Sequence, residues 1–173
     1  MASSPMSPRI RLIVVDAPLL DRLESVDSFN AHYGADVSAS LDAARAVVQQ
    51  GLDFYERAGA TGRWAGYLAV DSSSNTVVGS CGFKGDPSPA GDVEIAYFTF
   101  PLYEGRGFAS GMAAELVRIA RDVRTVRPVI AHTLPEPNAS TRVLEKTGFV
   151  RDGDAVDDEV GAVWRWRRGL GRG

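Results

Sequence analysis

The residues best suited to chemistry lie close together between positions 94 and 107. Glu94 is a carboxylate within the apolar stretch Val93–Phe100, whose β-branched and aromatic residues predict a buried strand ending at Pro101. Gly105 and Gly107 follow, directly before an amphipathic helix. The N-terminus of a helix presents unpaired N–H groups and the positive end of a dipole, so this loop is suited to binding a phosphate. A phosphate site and a candidate base on one strand–loop–helix unit predict an enzyme that uses a pyrophosphate-bearing cofactor.

The helix after the two glycines is predicted from an apolar stripe. Met112, Leu116 and Ile119 are spaced by four and three residues, with charged residues off the stripe. Close glycines also occur in ordinary helix-entry turns, so the interpretation depends on the strand before the loop and the helix after it. Two other phosphate motifs are excluded. The chain contains no Gly-x-x-x-x-Gly-Lys-Ser/Thr, and Ser110 stands where a Gly-x-Gly-x-x-Gly loop has its third glycine.

Size and composition are those of an ordinary globular chain. Its 173 residues favour one domain, and 45% hydrophobic and 24% charged residues lie in the usual range. The net charge of −3 gives no general attraction to nucleic acid or to an anionic membrane surface. No apolar run is long enough to span a membrane, and the single cysteine, Cys81, permits no intrachain disulfide. We therefore expect a cytoplasmic protein without nucleic-acid or membrane partners.

Periodicity and turn residues divide the chain into a tail, one domain and a short end. We expect residues 1–8 to be a flexible tail, residues 9–168 to form the domain, and residues 169–173 to be frayed. The predicted elements follow the order β-α-α-β-β-β-α-β-α-β-β, which indicates an α/β (α+β) fold with helices on the faces of a mixed sheet. The segment Asp27–Val37 shows no clear period, so we predict a loop or a broken helix there.

This order of elements, together with two motifs, resembles the GCN5-related N-acetyltransferase (GNAT) superfamily. The loop from Glu104, which reads Glu-Gly-Arg-Gly-Phe-Ala, matches the cofactor loop Gln/Arg-x-x-Gly-x-Gly/Ala except at its first position. The segment from Asn138 to Phe149 contains Leu-Glu-Lys-Thr-Gly-Phe after an Asn/Ser helix start. It is similar to the branch with the ribosomal-protein N-terminal (alanine) acetyltransferases. Two further departures are Ala96 in place of a glycine and Asn-x-Ser, ending at Ser140, in place of Asn-x-x-Ser.

The resemblance implies a single GNAT domain and acetyl-coenzyme A as cosubstrate, without a metal. The implied sheet is mixed and mostly antiparallel, with six to seven strands, about four helices and a V-shaped cofactor opening between the fourth and fifth strands. The pantetheine arm would pair with a strand backbone, and the N–H groups of the glycine loop would bind the pyrophosphate, with Arg106 as a charged contact. The implied cofactor-binding residues are Phe98, Thr99, Phe100, Gly105, Arg106, Gly107, Phe108, Ala109, Ser110, Asn138 and Ser140.

Attack of an amine on a thioester requires a group that takes the proton of the amine, because amines are protonated at pH 7. Glu94 is our candidate, since burial in an apolar strand raises the pKa of a carboxyl group. The alternative is that Glu94 pairs with a basic residue and has only a structural role. Ser140, Tyr97 or solvent would protonate the leaving thiolate, because Glu145 stands where some superfamily members have a tyrosine. Glu94 and Ser140 are therefore the catalytic candidates.

The predicted activity is transfer of an acetyl group from acetyl-coenzyme A to a primary amine of a small molecule or of a protein or peptide N-terminus. Two alternatives are a non-catalytic module that binds coenzyme A as a sensor or scaffold, and a transferase for a longer acyl group. His32 and His132 are further candidates for a catalytic acid or base, although histidines in such positions more often have a structural role. An acidic rim, formed by Asp152, Asp154, Asp157 and Asp158, could attract a cationic amine or be a solvated turn. The oligomeric state is open, and homodimers are common among similar proteins.

Overall fold

A seven-stranded β-sheet forms the centre of the molecule in the computed structural model, which describes residues 6–171. The strands are β1 (Ile10–Val14), β2 (Gly66–Asp71), β3 (Thr76–Phe83), β4 (Val93–Thr99), β5 (Pro128–Thr133), β6 (Val150–Asp157) and β7 (Gly161–Gly169). The α-helices in this range are α1 (Ala17–Arg22), α2 (Val26–Tyr33), α3 (Leu41–Ala58), α4 (Phe108–Arg121) and α5 (Ala139–Lys146). Short 3₁₀ helices occupy Gly62–Trp64 and Pro101–Tyr103.

The sheet is mixed and is split at its centre. Its strand order is β1-β2-β3-β4-β5-β7-β6, and every neighbouring pair is antiparallel except β4 and β5. These two strands pair only at Val93 with Val129 and at Glu94 with Ile130. Beyond this point β4 continues to Thr99 without a partner strand on that edge among the described residues. The predicted mixed, mostly antiparallel sheet and its opening between the fourth and fifth strands are confirmed, with five helices instead of about four.

The additional helix is α2, which lies where the sequence predicts a loop or a broken helix at Asp27–Val37; that prediction is wrong. Ser25 caps α2 by accepting a hydrogen bond from the N–H group of Ser28 at 3.1 Å, and Gly34 ends it with a φ of +61°. Phe29 is the one buried residue of this eight-residue helix. With a single buried position no period can appear, so the caps are the only local signal of the helix.

The two faces of the sheet carry different helices. α3 lies on the face of Gly82, where the Tyr55 ring contacts the strand backbone. α4 lies on the other face, where its Gly111 approaches the side chain of Ile10. The register of β1, β2 and β3 places Ile10 and Gly82 on opposite faces, because side chains alternate along a strand.

The same alternation sorts the side chains of β4. Ala96 pairs with Gly82 and therefore shares the α3 face, together with Glu94 and Phe98. Tyr97 lies on the α4 face. The central opening thus receives side chains from two directions, one set from each face of β4.

The chain ends add two packing contacts. Pro8 lies against Gly107 and Gly111 of the α4 region, while β7 extends to Gly169 and Leu170 is buried. The predicted boundaries of the tail, the domain and the frayed end stay predictions, and residues 1–5 and 172–173 lie outside the described residues. Within residues 6–171, none of the helices combines the length and the apolarity that crossing a membrane requires.

Candidate active site

The loop before α4 presents a row of free backbone donors. Gly105 and Gly107 have φ values of +76° and +84°, in the left-handed region that favours glycine. Within the described chain, the N–H groups from Gly105 to Ser110 donate to no backbone carbonyl. A Cβ atom at Gly105 would meet nothing within 4 Å, so its backbone conformation, and not lack of space, favours glycine there. Free donors at the positive end of a 14-residue helix form an arrangement suited to a phosphate.

A cavity of about 750 Å³ opens beside this loop, between the end of β4 and α5. Its volume lies within the range of small-molecule and cofactor sites. The predicted cofactor-binding residues that line it are Phe98, Thr99, Gly105, Gly107, Phe108, Ala109, Ser110 and Ser140. Phe100, Arg106 and Asn138 are not among the lining residues.

Two cationic side chains of α5 that sequence analysis missed line this cavity. Arg142 and Lys146 line it from successive turns of α5. Their spacing of four residues in a helix is the signal that could have identified them. Arg106 is exposed, and its guanidinium carbon lies 5.8 Å from the ring centre of Tyr103. Its contact with a phosphate stays a prediction.

The ladder between β3 and β4 decides which backbone groups of β4 are free. The N–H group of Lys84 donates to the carbonyl of Glu94, and the N–H group of Phe100 donates to the carbonyl of Val78, both at 2.9 Å. In an antiparallel pair, alternate residues direct their backbone groups to opposite edges. The even-numbered residues of β4, including Phe98, therefore bond to β3.

The odd-numbered residues Tyr97 and Thr99 direct their backbone groups to the opening. This corrects the prediction that the backbones of Phe98 and Phe100 pair with a cofactor arm, and keeps Thr99. The Phe100 carbonyl also accepts a hydrogen bond from Tyr103 at 2.8 Å, and the Phe100 side chain is buried. The hydrogen-bond ladder alone decides whether the odd-numbered or the even-numbered residues of a strand direct their backbone groups to a given edge. The sequence therefore cannot show it.

Asn138 has a local structural role at the start of α5. Its Oδ1 accepts a hydrogen bond from the N–H group of Thr141 at 2.9 Å, and the Thr141 hydroxyl accepts one from the N–H group of Asn138 at 2.9 Å. This reciprocal capping box begins the helix. It occupies the side-chain oxygen of Asn138, so contact with a cofactor through the side-chain amide nitrogen stays a prediction.

Ser140 meets Tyr97 across the opening. The two hydroxyl oxygens lie 3.0 Å apart. Burial raises the pKa of Tyr97, and the hydrogen bond to Ser140 offsets part of that shift. The phenol therefore stays neutral at physiological pH and can donate a proton. This Tyr97–Ser140 pair, called here the hydroxyl pair, also lines the 750 Å³ cavity.

Glu94 is surrounded by two basic side chains. Its Oε1 lies 2.8 Å from Nδ1 of His132 and 3.2 Å from Nζ of Lys84. The three residues are called here the Glu94 cluster. Because Glu94 pairs with Ile130 in the parallel ladder, His132 lies two residues further along β5 on the same face. Sequence analysis named Glu94 and His132 separately and missed Lys84, which only the β3–β4 connection brings near.

The hydrogen bond between Glu94 and Nδ1 of His132 leaves the second ring nitrogen of His132, Nε2, without a partner in this cluster. When Nδ1 of the imidazole donates to the carboxylate, Nε2 keeps a lone pair that can accept a proton. A space of about 120 Å³ is lined by the Glu94 cluster and by both members of the hydroxyl pair. The opening in the sheet therefore connects a charged group on one face with two hydroxyls on the other.

The other candidates from the sequence lie differently. His32 is exposed in the last turn of α2, where its ring meets Tyr33 edge to face at 4.6 Å. It lines none of the cavities described here. The structure does not bring it to the Glu94 cluster.

Two carboxylates of the acidic rim are ion-paired. Asp152 lies 2.9 Å from Arg165, and Asp154 lies 2.7 Å from Arg151. Hydrogen bonds from the backbone N–H groups of Glu159 and Val160 lower the pKa of Asp157. The ion pairs of Asp152 and Asp154 reduce the net acidity of the rim.

Comparison with known proteins places the chain in a family. The acetyltransferase (GNAT) domain model matches residues 11–150. YjdG of Bacillus subtilis (strain 168), an uncharacterized N-acetyltransferase, is 27% identical over 161 residues, with 82% of this chain and 86% of that protein covered.

Solved structures share the fold. RimL, a ribosomal L7/L12 α-N-protein acetyltransferase in complex with coenzyme A, has a TM-score of 0.64 and 19% identity, covering 95% of this chain and 96% of that one. A spermidine N-acetyltransferase from Vibrio cholerae, in complex with coenzyme A and spermine, has a TM-score of 0.61 and 14% identity, covering 94% and 96%. With the family match spanning most of its length, the chain belongs to the GNAT family and is an acyl-coenzyme-A-dependent N-acetyltransferase that acts on an amine.

Proposed function

We propose that the enzyme acetylates a primary amine of a small molecule or of a protein or peptide N-terminus by direct attack on acetyl-coenzyme A. One observation carries the proposal: the Glu94 cluster and the hydroxyl pair lie on opposite faces of β4 and line the same space. An amine that enters from the α3 face would meet a proton acceptor, and a thioester that enters from the α4 face would meet a proton donor.

The cofactor would occupy the 750 Å³ cavity. Free N–H groups from Gly105 to Ser110 would bind its pyrophosphate, and Arg142 and Lys146 would contact its phosphates. The pantetheine arm would pair with the free edge of β4, at the backbone groups of Tyr97 and Thr99. This pairing brings the thioester to the point where β4 and β5 separate.

The first step removes a proton from the amine. Nε2 of His132 accepts this proton, while Glu94 orients the imidazole through Nδ1 and balances its positive charge. The neutral nitrogen then attacks the carbonyl carbon of the thioester, and a C–N bond forms. In this assignment Glu94 acts through His132, to which it is hydrogen-bonded.

The second step releases coenzyme A. The C–S bond breaks, its electron pair moves to the sulfur, and the newly acylated nitrogen loses its second proton to solvent. The hydroxyl pair supplies a proton to the thiolate, with Tyr97 as donor and Ser140 as its hydrogen-bond partner. Solvent returns a proton to Tyr97 and removes the one held by His132, which restores both groups for the next cycle.

We propose that the enzyme works in the cytoplasm. Its single cysteine, Cys81, is buried in β3 and permits no intrachain disulfide, as is usual for proteins of a reducing compartment.

The test combines turnover with binding on the full chain. Release of free thiol from acetyl-coenzyme A is measured across a panel of amines and N-terminal peptides, and mass spectrometry checks that the product is the N-acetylated amine. Calorimetry measures uptake of coenzyme A in parallel. We expect both turnover and binding. Binding without an acetylated amine would contradict the proposed acceptor chemistry, and absence of binding by folded protein would contradict the cofactor site.

A further inference from the structure

A third cavity, of about 160 Å³, lies on the α3 face of β4 and is called here the side-group cavity. The larger side chains on this face that line it are those of Val15, Val47, Tyr55 and Phe98. None of the residues that line it carries a formal charge. This composition contrasts with the nearby Glu94 cluster and favours an uncharged, apolar occupant.

Glycines form the floor of the side-group cavity. A Cβ atom at Gly66 would collide with the Tyr55 phenol, and one at Gly82 would lie 2.7 Å from the Tyr55 hydroxyl oxygen. Absence of side chains at these two positions allows the hydroxyl end of Tyr55 to contact the backbone of β2 and β3. The shape of the cavity therefore depends on residues that are 11 and 27 positions from Tyr55 in the chain.

The Tyr55 hydroxyl forms no hydrogen bond with any residue in the described part of the chain. Burial raises the pKa of Tyr55 to about 12, so the phenol keeps its proton and can donate it. Among the described residues no buried side-chain oxygen lacks a partner, so the Tyr55 hydroxyl reaches solvent and is free to donate to a bound molecule. A bound molecule that carries a neutral acceptor atom near its apolar group would accept this hydrogen bond.

The side-group cavity continues into the reaction space. Ala96 and Tyr97 line both it and the space at the Glu94 cluster, and Phe98 lines both it and the 750 Å³ cavity. A group bound beside Tyr55 would therefore be attached to an amine that reaches the Glu94 cluster. Engineered apolar cavities of about 150 Å³ bind benzene, which sets the size of the group.

We propose that the side-group cavity selects the acceptor: a primary amine with an uncharged branched aliphatic or phenyl group, and a neutral hydrogen-bond acceptor that Tyr55 contacts. This inference rests on the proposed function and specifies its substrate class. Amines of this kind include the N-terminal leucine or phenylalanine of a peptide and their amides. Polyamines, which carry a second positive charge, would find no counter-charge in this cavity.

The first test compares amines on the wild-type enzyme within two classes of matched basicity, alkylamines and α-amino amides. We expect kcat/KM for 3-methylbutylamine to exceed that for ethylamine and putrescine, and kcat/KM for leucinamide to exceed that for glycinamide, by about tenfold or more, since each added methylene in a fitted pocket contributes strongly. Equal or higher kcat/KM for ethylamine or putrescine would overturn the inference while leaving amine acetylation intact. If no amine is acetylated, the proposed function itself fails, and the inference falls with it.

The second test fills the cavity. Val47→Phe places a larger side chain in it, whereas Ala46→Phe makes the same addition at an exposed position one residue earlier in α3. We expect Val47→Phe to lower kcat/KM for leucinamide about tenfold and for ethylamine less than twofold, with Ala46→Phe close to wild type. An equal loss for both amines would overturn the inference.

A milder variant guards against misfolding. A methyl group at Gly51 would lie 3.4 Å from the Tyr55 ring and 3.6 Å from Val15, so Gly51→Ala fits the folded chain. Alanine also favours the helix over glycine. We expect an unchanged or higher Tm together with a loss of about threefold in kcat/KM for leucinamide and none for ethylamine. Unchanged selectivity in this variant would contradict the assignment.

The role of the phenol is tested with a matched pair of acceptors. Leucinamide and 3-methylbutylamine share the apolar group, and only leucinamide has a carboxamide oxygen. We expect Tyr55→Phe to lower kcat/KM for leucinamide about fivefold and to leave 3-methylbutylamine within twofold, since one neutral hydrogen bond is lost. An identical response of the two amines would contradict the contact.

Discussion

On the α3 face of β4 the candidate active site carries formal charges, whereas on the α4 face it carries two neutral hydroxyls and a row of backbone N–H groups. Glu94 lies between His132 and Lys84 on the first face. Tyr97 contacts Ser140 on the second. Alternation along a single strand produces this separation, because consecutive side chains point to opposite faces.

The difference matches what each half of the reaction requires. Taking a proton from an ammonium group creates a new positive charge, which an adjacent carboxylate stabilises. Returning a proton to a thiolate requires a donor that stays protonated, and a buried phenol meets this requirement because burial raises the pKa of Tyr97. The proposed acid and base therefore reach the same space from opposite faces of β4.

The strongest test of this comparison removes the charge on the α3 face. We expect Glu94→Gln to lower kcat/KM for the amine about 100-fold, because it removes the carboxylate that orients His132 and stabilises its positive charge, and general-base assistance is typically worth 100-fold or more. The affinity for coenzyme A, measured by calorimetry, should not change. Glu56→Gln, at an exposed position in α3, is the matched control. A loss below threefold in Glu94→Gln would contradict the proposed action of Glu94 through His132.

The next test removes the donor on the α4 face. Tyr97→Phe keeps the ring and deletes the hydroxyl, so we expect kcat to fall about tenfold while the KM for the amine stays within twofold. Tyr33→Phe, in α2, serves as a control because its hydroxyl lies outside the opening. If Tyr97→Phe instead raised the KM for the amine and left kcat unchanged, the assignment of acid and base to the two faces would be wrong.

A smaller effect is expected at the outer end of the cofactor cavity. Arg142→Met and Lys146→Met should each weaken coenzyme A binding about threefold, because exposed ionic contacts are worth less than about 1 kcal/mol. The difference from wild type should shrink at high salt. Arg118→Met, an exposed cation of α4 outside the lining, is the control. Salt-independent losses would indicate packing changes instead of charge.

The smallest expected effect concerns alkaline stability. Burial raises the pKa of Tyr55 from 10.0 to about 12. Its contribution to stability is complete below pH 10 and is lost as the pH rises toward 12, because the unfolded chain releases the proton first. The slope is at most about 1.4 kcal/mol per pH unit. Urea unfolding between pH 8 and 11 should show a shallower decline for Tyr55→Phe than for wild type, with Phe54→Leu retaining the wild-type slope.

Local patterns were sufficient for much of the fold and for the phosphate site. Strand alternation, the helical stripe after Gly107 and the cap at Asn138 each depend on neighbours within a few residues, so they can be read along the chain. The same holds for the separation of the glycine loop from the Asn138 helix, which identifies the family. The α2 helix was not predicted because its single buried residue gives no helical period. Its only local signals are the caps at Ser25 and Gly34.

The sequence by itself determined the glycine loop, the acid at position 94 and the order of the strands and of the helices other than α2, because these depend on residue type and short-range spacing. The tertiary structure alone decided that His132 and Lys84 meet Glu94, that Tyr97 meets Ser140, and that Tyr55 lies on the glycines of β2 and β3. Those contacts join residues distant in the chain through sheet register and the splaying of β4 from β5. Register is a property of paired strands, so no single stretch of sequence contains it.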